Sequence, residues 1–367
     1  MKKLKFKDFV KLQRGFDLPK YRFEDGIYPV VGSTSILGFH NTYKKESPGV
    51  VTGRSGSLGT VQYIDSKYWP HNTALWVKDF QGNDPKYVFY FLKEFGLEKF
   101  NSGAGVPTLN RNHLDGYEIR IHEKTSQRKI ASILSAYDDL IDNNTRRIKI
   151  LEEMAQAIYK EWFVNFRFPG HEKVKFVESE LGKIPEGWEV AEVKALVNRY
   201  KAGKKFTQKN VKSEGDVIVI DQSTDELLGY HNEEPDHIAT PNKPRIIFGD
   251  HTCKMQLMVR PFSVGPNVIP FDSKNEVPVQ FLFYLINSLV KTREYKRHWN
   301  ELISKSVVLP IKELQLEFSK KIIPFFEAIE QYKNKNSNLR KTRDLLLPKL
   351  MSGEIDVEEM DIPINND

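Results

Sequence analysis

The sequence has very little of what marks a secreted or membrane-embedded protein. Its single cysteine, Cys253, excludes an intramolecular disulfide and a zinc site built from cysteines, and favours a reducing, cytoplasmic setting. No apolar run approaches the roughly 18 residues that a membrane-spanning helix needs. The first residues interrupt their apolar positions with lysines, so they do not predict a signal-peptide core. We therefore expect a cytoplasmic protein that does not associate with a membrane.

Basic residues outnumber acidic ones, and the charge is unevenly distributed along the chain. The 367 residues, enough for two domains, carry a formal net charge of +6, yet residues 354–367 contain six acidic residues and no Lys or Arg. Residues 1–353 therefore carry +12. This basic body favours a polyanionic partner, because lysine and arginine release counterions when they neutralise phosphates. Many mildly basic proteins have no such partner, so charge alone does not decide. We expect the acidic tail to fray.

The chain contains an internal repeat. Three kinds of segment occur twice, in the same order. They are an apolar strand that follows a proline and ends at a glycine, a turn before an alternating strand, and an apolar helix that a proline opens. The paired segments are 48–54 and 244–250, 70–72 and 265–267, and 85–92 and 278–285.

Two further segments carry a strict heptad pattern, with a constant shift of 188 residues between them. Steps of four and three residues over this length are typical of a left-handed coiled coil. The helices either pair with each other or pack separately on their own modules, and the sustained register favours pairing. The positions are Ile130, Leu134, Tyr137, Ile141, Asn144, Ile148, Leu151, Ala155, Ile158 and Trp162, and then Phe318, Ile322, Phe325, Ile329, Tyr332, Asn336, Leu339, Arg343, Leu346 and Leu350.

Details of these segments qualify the prediction. Asn144 and Asn336 lie on the seam, where a buried amide lowers stability but fixes the register. Pro324 predicts a kink in the second helix or a start beyond it. We expect the first helix to extend from near Ser126 to Phe163.

Together these patterns predict two modules in tandem, with two long heptad-patterned helices that pair with each other as a coiled coil. The predicted boundaries are 1–122 for the first module, 123–165 for the first long helix, 166–184 for a linker, 185–311 for the second module, 312–353 for the second long helix and 354–367 for the acidic tail.

The motifs, in this order, resemble those of specificity subunits of type I restriction–modification systems. They match the close of the first recognition domain, the start of the second, a motif within the second, and the passage into its conserved helix. His122 stands where the other half has Pro310, a departure from the family that we expect to change only the local turn. The stretches that carry the resemblance are 103–110 with Leu114, 179–189, 248–252, and 308–311 with Gln315.

The resemblance implies an α/β (α+β) fold, in which two tandem recognition domains are joined by two long helices that form an antiparallel coiled coil. It also implies a function. Two target-recognition domains, related by a pseudo-two-fold repeat, would each read one half of a bipartite sequence in double-stranded DNA, and the long helices would set the spacer. It also implies that the chain binds two modification (methyltransferase) subunits and, in the full complex, restriction (motor-nuclease) subunits. Catalysis would come from those partners, and this chain would bind no cofactor or metal of its own.

We expect the DNA contacts to lie on loops that follow strand ends in both repeats. Base edges call for Arg, Lys, Asn, Gln, Ser or Thr, and phosphates call for Lys or Arg. Solvated turn residues are the alternative at each position. The candidates are Arg54, Ser55, Ser57, His71, Asn72, Asn110 and Arg111 in the first half, and Lys201, Lys204, Lys205, Asp250, His251, Thr252, Lys254, Gln256, Arg297 and His298 in the second.

Two other function classes remain open. Asp236, Asp272 and Lys274 imitate the carboxylate–lysine signature of a metal-dependent nuclease. A pure interaction scaffold would use the helices alone, with loops that read no sequence. A nucleotide site at residues 53–59 is disfavoured, because the loop lacks the Gly-Lys-Ser/Thr ending of a phosphate-binding loop.

Overall fold

The computed structural model describes residues 1–103, 105–223, 227–292, 294 and 296–363. Ala104, which belongs to the motif at 103–110, lies outside them. The chain divides into two compact units, unit 1 (Met1–Asn143 with Asn336–Asp367) and unit 2 (Asn144–Lys335). Among the described residues, no helix combines the length and apolar character needed to cross a membrane.

Unit 1 contains short strands and helices followed by the first part of a long helix. In chain order these are β1 (Lys2–Lys5), α1 (Phe6–Phe9), β2 (Lys11–Arg14), β3 (Tyr28–Val31), β4 (Ile36–His40), β5 (Gly49–Gly53), β6 (Val61–Ile64), β7 (Trp69–Pro70), β8 (Ala74–Asp79), α2 (Pro85–Phe95), α3 (Arg111–Asp115), β9 (Glu118–Ile121) and α4 (Lys124–Tyr159), which continues into unit 2.

Unit 2 follows the same plan after a hairpin that unit 1 lacks among its described residues. The elements are β10 (Phe176–Ser179), β11 (Gly182–Pro185), β12 (Glu189–Glu192), α5 (Val193–Leu196), β13 (Val197–Arg199), β14 (Val217–Ile220), β15 (Leu227–His231), β16 (Arg245–Gly249), β17 (Met255–Met258), β18 (Phe262–Val264), β19 (Val268–Ser273), α6 (Val279–Ile286), α7 (Trp299–Ile303), β20 (Ser306–Leu309) and α8 (Lys312–Ser352), whose last part belongs to unit 1.

The sheets confirm the internal repeat. The four-stranded sheets have the orders β2-β8-β5-β6 and β13-β19-β16-β17, so corresponding strands occupy corresponding places. The three-stranded sheets, β4-β3-β7 and β15-β14-β18, each contain one parallel pair, and β1-β9 matches β12-β20. The repeat seen in short motifs is therefore a repeat of topology.

Helix α2 shows how local sequence defines an element. The Asp84 side chain accepts a hydrogen bond from the Tyr87 backbone N–H at 2.8 Å, and Pro85 opens the helix where no backbone donor is needed. The helix ends at Gly96, whose φ of 73° is easy for glycine. Its apolar face packs into the core of unit 1.

The two long helices run antiparallel within each unit, which confirms both the pairing that the heptad pattern predicts and the direction that the resemblance implies. In unit 1, Arg343 pairs with Asp138, and the Asn336 side-chain amide donates to the Ile141 carbonyl at 3.4 Å. In unit 2, Arg147 donates to the Tyr332 hydroxyl at 3.0 Å. All twenty predicted seam positions are buried or half-buried. The predicted α/β modules with a paired-helix connection are confirmed.

The ends of the long helices are close to the expected ones, and two local expectations are corrected. Helix α4 begins at Lys124 and ends in a π-helical turn at Lys160–Val164, near the expected span from Ser126 to Phe163. Helix α8 begins at Lys312 and continues through Pro324, which excludes a start beyond the proline. His122 does more than alter a turn. Its backbone N–H donates to the Tyr87 hydroxyl at 3.2 Å, a bond that a proline cannot make.

The acidic tail does not fray over residues 354–363, contrary to expectation. Val357 is only 1% exposed and belongs to the core of unit 1. The Lys129 ammonium donates to the carbonyls of Val357, Glu358 and Met360 at 3.2, 2.7 and 2.9 Å. Charge predicted solvation of this segment, but its apolar residues supply enough burial to order it.

Candidate nucleic-acid interface

The loop after β5 has a fixed backbone that presents Arg54 and Ser55. The Arg54 N–H donates to the Thr73 carbonyl at 3.0 Å, and the Arg54 carbonyl accepts from Leu109 at 2.8 Å. The Ser33 hydroxyl donates to the Ser55 carbonyl at 2.9 Å. Both Arg54 and Ser55 are half-buried. These bonds leave the Arg54 guanidinium with several free donor positions on a rigid base.

A glycine allows this loop to fold back on itself. A side chain at Gly53 would place its Cβ 2.1 Å from the Ser57 carbonyl oxygen. Ser57 is exposed at the tip. Steric crowding therefore explains why this strand of the sequence repeat ends at a glycine.

His71 and Asn72 support the loop after β7. The two ring nitrogens of His71 lie 2.9 Å from the Thr73 hydroxyl and 3.2 Å from the Leu18 carbonyl. The Asn72 carbonyl accepts from the Arg54 guanidinium at 3.3 Å, and its side-chain amide donates to Asp17. Because both ring nitrogens are occupied, His71 acts as a support for the loop.

Asn110 and Arg111 lie at the start of α3. The Asn110 side chain accepts from the Asn112 backbone N–H at 3.1 Å and so caps the helix. Arg111 is exposed, and one of its guanidinium nitrogens donates to the Leu12 carbonyl at 3.2 Å. Asn110 thus orients the helix whose first residue presents Arg111.

The three lysines of unit 2 lie in the segment after β13 and are all exposed. Lys204 pairs with Glu233 at 2.5 Å, which lowers the pKa of that carboxyl. The backbone N–H of Lys204 also donates to Asp236 at 3.2 Å. The Lys204 charge is therefore largely compensated, whereas Lys201 and Lys205 keep their ammonium groups toward solvent.

Asp250, directly after β16, is committed to the fold. One of its carboxylate oxygens accepts from the backbone N–H groups of His298 and Trp299 at 3.1 and 2.9 Å. Its side chain is 10% exposed, and Arg297 lies 3.8 Å from the other oxygen. Asp250 thereby satisfies the first backbone donors of α7, which the N-terminal residues of a helix cannot satisfy themselves.

His298 is likewise a structural residue. It is 1% exposed, and its ring nitrogens lie 3.0 Å from Glu301 and 3.2 Å from the Glu294 carbonyl. Arg297, the preceding residue, has a side chain that is 77% exposed. Of this pair, only Arg297 is free to reach a ligand.

The remaining candidates of unit 2 divide between a loop and a cavity. The His251 N–H donates to the Gln222 side chain at 3.1 Å, and Thr252 accepts from the Lys254 N–H at 3.4 Å. The Lys254 ammonium donates to the Ser223 carbonyl at 3.3 Å. Gln256 lines a cavity of about 450 Å³ beside the long helices, which makes it the candidate least suited to reaching DNA.

The nuclease alternative gains no geometric support. Asp272 accepts from the Asn198 amide at 3.1 Å and from the Tyr200 hydroxyl at 2.5 Å, while Asp236 accepts from Lys204. Lys274 is exposed. Within the described ranges, no three His, Cys, Asp or Glu residues are placed to share a metal ion.

Sequence reasoning missed several basic side chains, because it searched only loops. Lys11 and Arg14 lie on β2 and Lys78 lies on β8, all exposed. Only the alternation of exposed positions along a strand could have marked them.

Comparisons with known proteins agree on one family. The family model described as "Type I restriction modification DNA specificity domain" matches residues 1–153. The type I restriction enzyme MjaIX specificity subunit of Methanocaldococcus jannaschii is 26% identical over 303 residues, which is 75% of this chain and 70% of that protein. The HindI specificity subunit of Haemophilus influenzae is 22% identical, covering 74% and 77%.

The fold agrees as well. The crystal structure of the type I restriction–modification S subunit from M. genitalium has a TM-score of 0.62 and 19% identity, over 95% of this chain and 96% of that one. The family model covers the first 153 residues, and the relatives and the solved fold extend the similarity over most of the chain. The chain is therefore similar in sequence to specificity subunits of type I restriction–modification systems, and it shares the fold of one of them.

Proposed function

We propose that the chain reads a bipartite DNA sequence, with residues 1–122 and residues 185–311 each reading one half-site. The observation that carries the proposal is one sheet topology, present twice, with different side chains at equivalent loop positions. Arg54 follows the glycine that ends β5, and Asp250 follows the glycine that ends β16. Equal scaffolds with unequal loops suit the recognition of two different half-sites.

The proposed contacts are candidates on these loops that are exposed or half-buried. Arginine and lysine in such loops reach guanine edges or phosphates, and serine reaches either. These loops are held in position by the hydrogen bonds of four other candidates, His71, Asn110, Asp250 and His298. The proposed contacts are Arg54, Ser55, Ser57, Asn72 and Arg111 in the first half, and Lys201, Lys204, Lys205, His251, Thr252, Lys254 and Arg297 in the second.

In this proposal the long helices set the length of the DNA spacer between the two half-sites. One heptad added to each of α4 and α8 lengthens a helix by about 10.5 Å, which matches about three base steps. We expect the tolerated spacer to grow by about 3 bp. An unchanged spacer in the motif of the lengthened protein would show that the helices do not set it.

The same helices offer a surface for the modification subunits. In unit 2, Ile150 and Met154 on α4 are 53% and 45% exposed. Apolar side chains this exposed on a heptad-patterned helix are typical of an interface. We propose that two modification subunits bind the long helices and that restriction subunits join the full complex. Ile150→Ser with Met154→Ser should weaken co-purification, whereas Glu153→Ser between them should not.

Sequencing of methylated bases in the source cell tests the proposed function. The account predicts a gapped motif that disappears when this chain is deleted and returns when it is supplied again. Purified chain with modification subunits should also bind that motif in preference to a shuffled duplex. A contiguous motif, or no motif that depends on this chain, would contradict bipartite reading.

A further inference from the structure

Unit 1 contains an open cleft of about 850 Å³ beside the Arg54 loop, and its lining is strongly basic. Strand β2 forms one wall, and residues of β8 and α3 complete it. Basic side chains outnumber acidic ones five to two. They are Lys7, Lys11, Arg14, Lys78 and Arg111, against Asp17 and Asp115.

Most of this positive charge is uncompensated. Arg14 pairs with Asp17 at 3.3 Å, and Lys11 lies 3.9 Å from Asp79 with both side chains about half exposed or more. Lys7, Lys78 and Arg111 are exposed, and none of them pairs with a carboxylate of the described residues. Exposed ammonium and guanidinium groups that converge on one concave surface attract a polyanion.

A chain of hydrogen bonds joins the cleft to the proposed reading loop. Asp17 accepts from both Arg14 and the Asn72 amide, and the Asn72 carbonyl accepts from Arg54 at 3.3 Å. Arg111, on the other side, donates to the Leu12 carbonyl of β2 at 3.2 Å. Cleft and loop therefore form one continuous surface of unit 1, with fixed spacing between its positive groups.

We propose that this cleft binds backbone phosphates of the DNA beside the half-site that the first recognition domain reads. Lys7, Lys11, Lys78 and Arg111 hold the phosphates, and Arg14 with Asp17 keeps the loop in register with them. The inference rests on the proposed function, and it adds a sequence-independent anchor to sequence reading. Phosphate contacts fix orientation on the duplex and carry no base information.

Unit 2 differs from this cleft at two equivalent positions. Strands β8 and β19 are both six residues long, and the fifth residue is Lys78 in one and Asp272 in the other. Helices α3 and α7 begin with Arg111 and Trp299. Substituting a carboxylate and an indole for two cations makes the equivalent surface unsuited to phosphate. The proposal therefore places this anchor in the first half only.

The test is the salt dependence of DNA binding by the full chain with its modification subunits. Lys11→Gln/Lys78→Gln removes two of the cations, while Lys2→Gln/Lys124→Gln removes two exposed lysines of unit 1 that do not line the cleft. Binding to the preferred duplex and to a shuffled duplex is measured across a range of KCl concentrations. The slope of log K against log salt is negative, and in the cleft variant it should become shallower by about 1.8, since each phosphate contact contributes about 0.9.

The outcomes test the phosphate anchor and the proposed reading function separately. Equal loss on both duplexes in the cleft variant, an unchanged slope in the control, and recovery with Lys11→Arg/Lys78→Arg support the anchor. An unchanged slope in the cleft variant, or a loss confined to the preferred duplex, overturns it. If the wild-type complex prefers no duplex, the proposed function is overturned. The change in salt slope of the cleft variant then still tests whether the cleft binds phosphates.

Discussion

Units 1 and 2 share one sheet topology yet have opposite charges at an equivalent loop position. Unit 1 has Arg54 after the glycine of β5, and unit 2 has Asp250 after the glycine of β16. The short helix that follows explains the difference. Asn110 caps α3 with its own side chain, whereas His298 gives α7 no side-chain cap and Asp250 supplies it from the loop. A cap within the helix frees the loop for recognition.

Asp250→Ala should produce the largest difference between the units. It removes the side-chain acceptor of the Trp299 N–H, while the His298 N–H keeps the Asp250 backbone carbonyl at 2.8 Å, and it should cost about 2 kcal/mol in the free energy of unfolding. Arg54→Ala removes an exposed donor and should cost less than about 0.5 kcal/mol. Urea unfolding, with hydrogen exchange of the Trp299 amide as a local probe, measures both. Equal costs would mean that the two loops have the same structural role.

Equivalent glutamines at the start of the long helices should also differ. Gln127 donates to the Asn83 side chain and the His122 carbonyl at 2.8 and 2.9 Å, and it accepts from the Asp84 N–H at 3.1 Å. Gln315 donates to Pro310 at 2.6 Å, and its side-chain oxygen has no hydrogen-bond partner among the described residues. Gln127→Met should therefore cost about 2 kcal/mol and Gln315→Met about 1 kcal/mol.

The measurement is again urea unfolding, and methionine keeps the side-chain length of glutamine at both positions. An equal cost for the two methionine variants would contradict the conclusion that Gln127 makes more stabilising hydrogen bonds in unit 1 than Gln315 makes in unit 2.

The ordered tail gives a third contrast. Lys129→Met should release residues 357–360 and lower the stability of unit 1 by about 1 kcal/mol, because the ammonium donates to three carbonyls there. Glu317→Met, the equivalent exposed position of α8, should change the stability of unit 2 by less than about 0.5 kcal/mol. Hydrogen exchange of the tail reads the effect directly. Unaltered protection of the tail in the lysine variant would show that other contacts hold it.

The smallest expected effect depends on pH, and here the units should behave alike. Burial lowers the pKa of His122 in unit 1, and the N-terminal ammonium adds to the effect; burial also lowers the pKa of His237 in unit 2. Below the ordinary value of 6.5, the unfolded chain takes up a proton before the folded chain does. Stability should thus decline as pH falls from there through the lowered pKa values, and should not change on this account above it.

Unfolding curves between neutral and mildly acid pH measure this decline. His122→Gln should flatten the profile of unit 1 alone, and His237→Gln that of unit 2 alone. A profile that neither substitution alters would exclude these histidines as the cause.

Much of the architecture could be predicted, because it depends on periodic burial. The heptad positions from Ile130 to Trp162 and from Phe318 to Leu350 predicted the helix pair, and the repeated glycine-terminated strands predicted the repeat. The roles of individual loop residues could not be predicted in the same way. Asp250 and His298 are 48 residues apart in the chain, and no local pattern reveals that one caps the helix of the other.

Charge also misled where it was used without burial. The acids after Gly353 predicted a solvated tail, but Val357 and Lys129 order residues 354–363 through packing and carbonyl contacts. The basic cleft escaped notice for the converse reason. Lys11 and Lys78 are far apart in sequence and meet only because β2 pairs with β8.

Exchange of one recognition domain tests the central claim most directly. Residues 1–122 are replaced by the corresponding domain of a relative with a different target, and the methylated motif is then mapped in cells. The account predicts that one half of the gapped motif changes while the other half and the spacer are retained. An unchanged motif would identify the chain as a scaffold, and a change in both halves would contradict the assignment of one domain to each half-site.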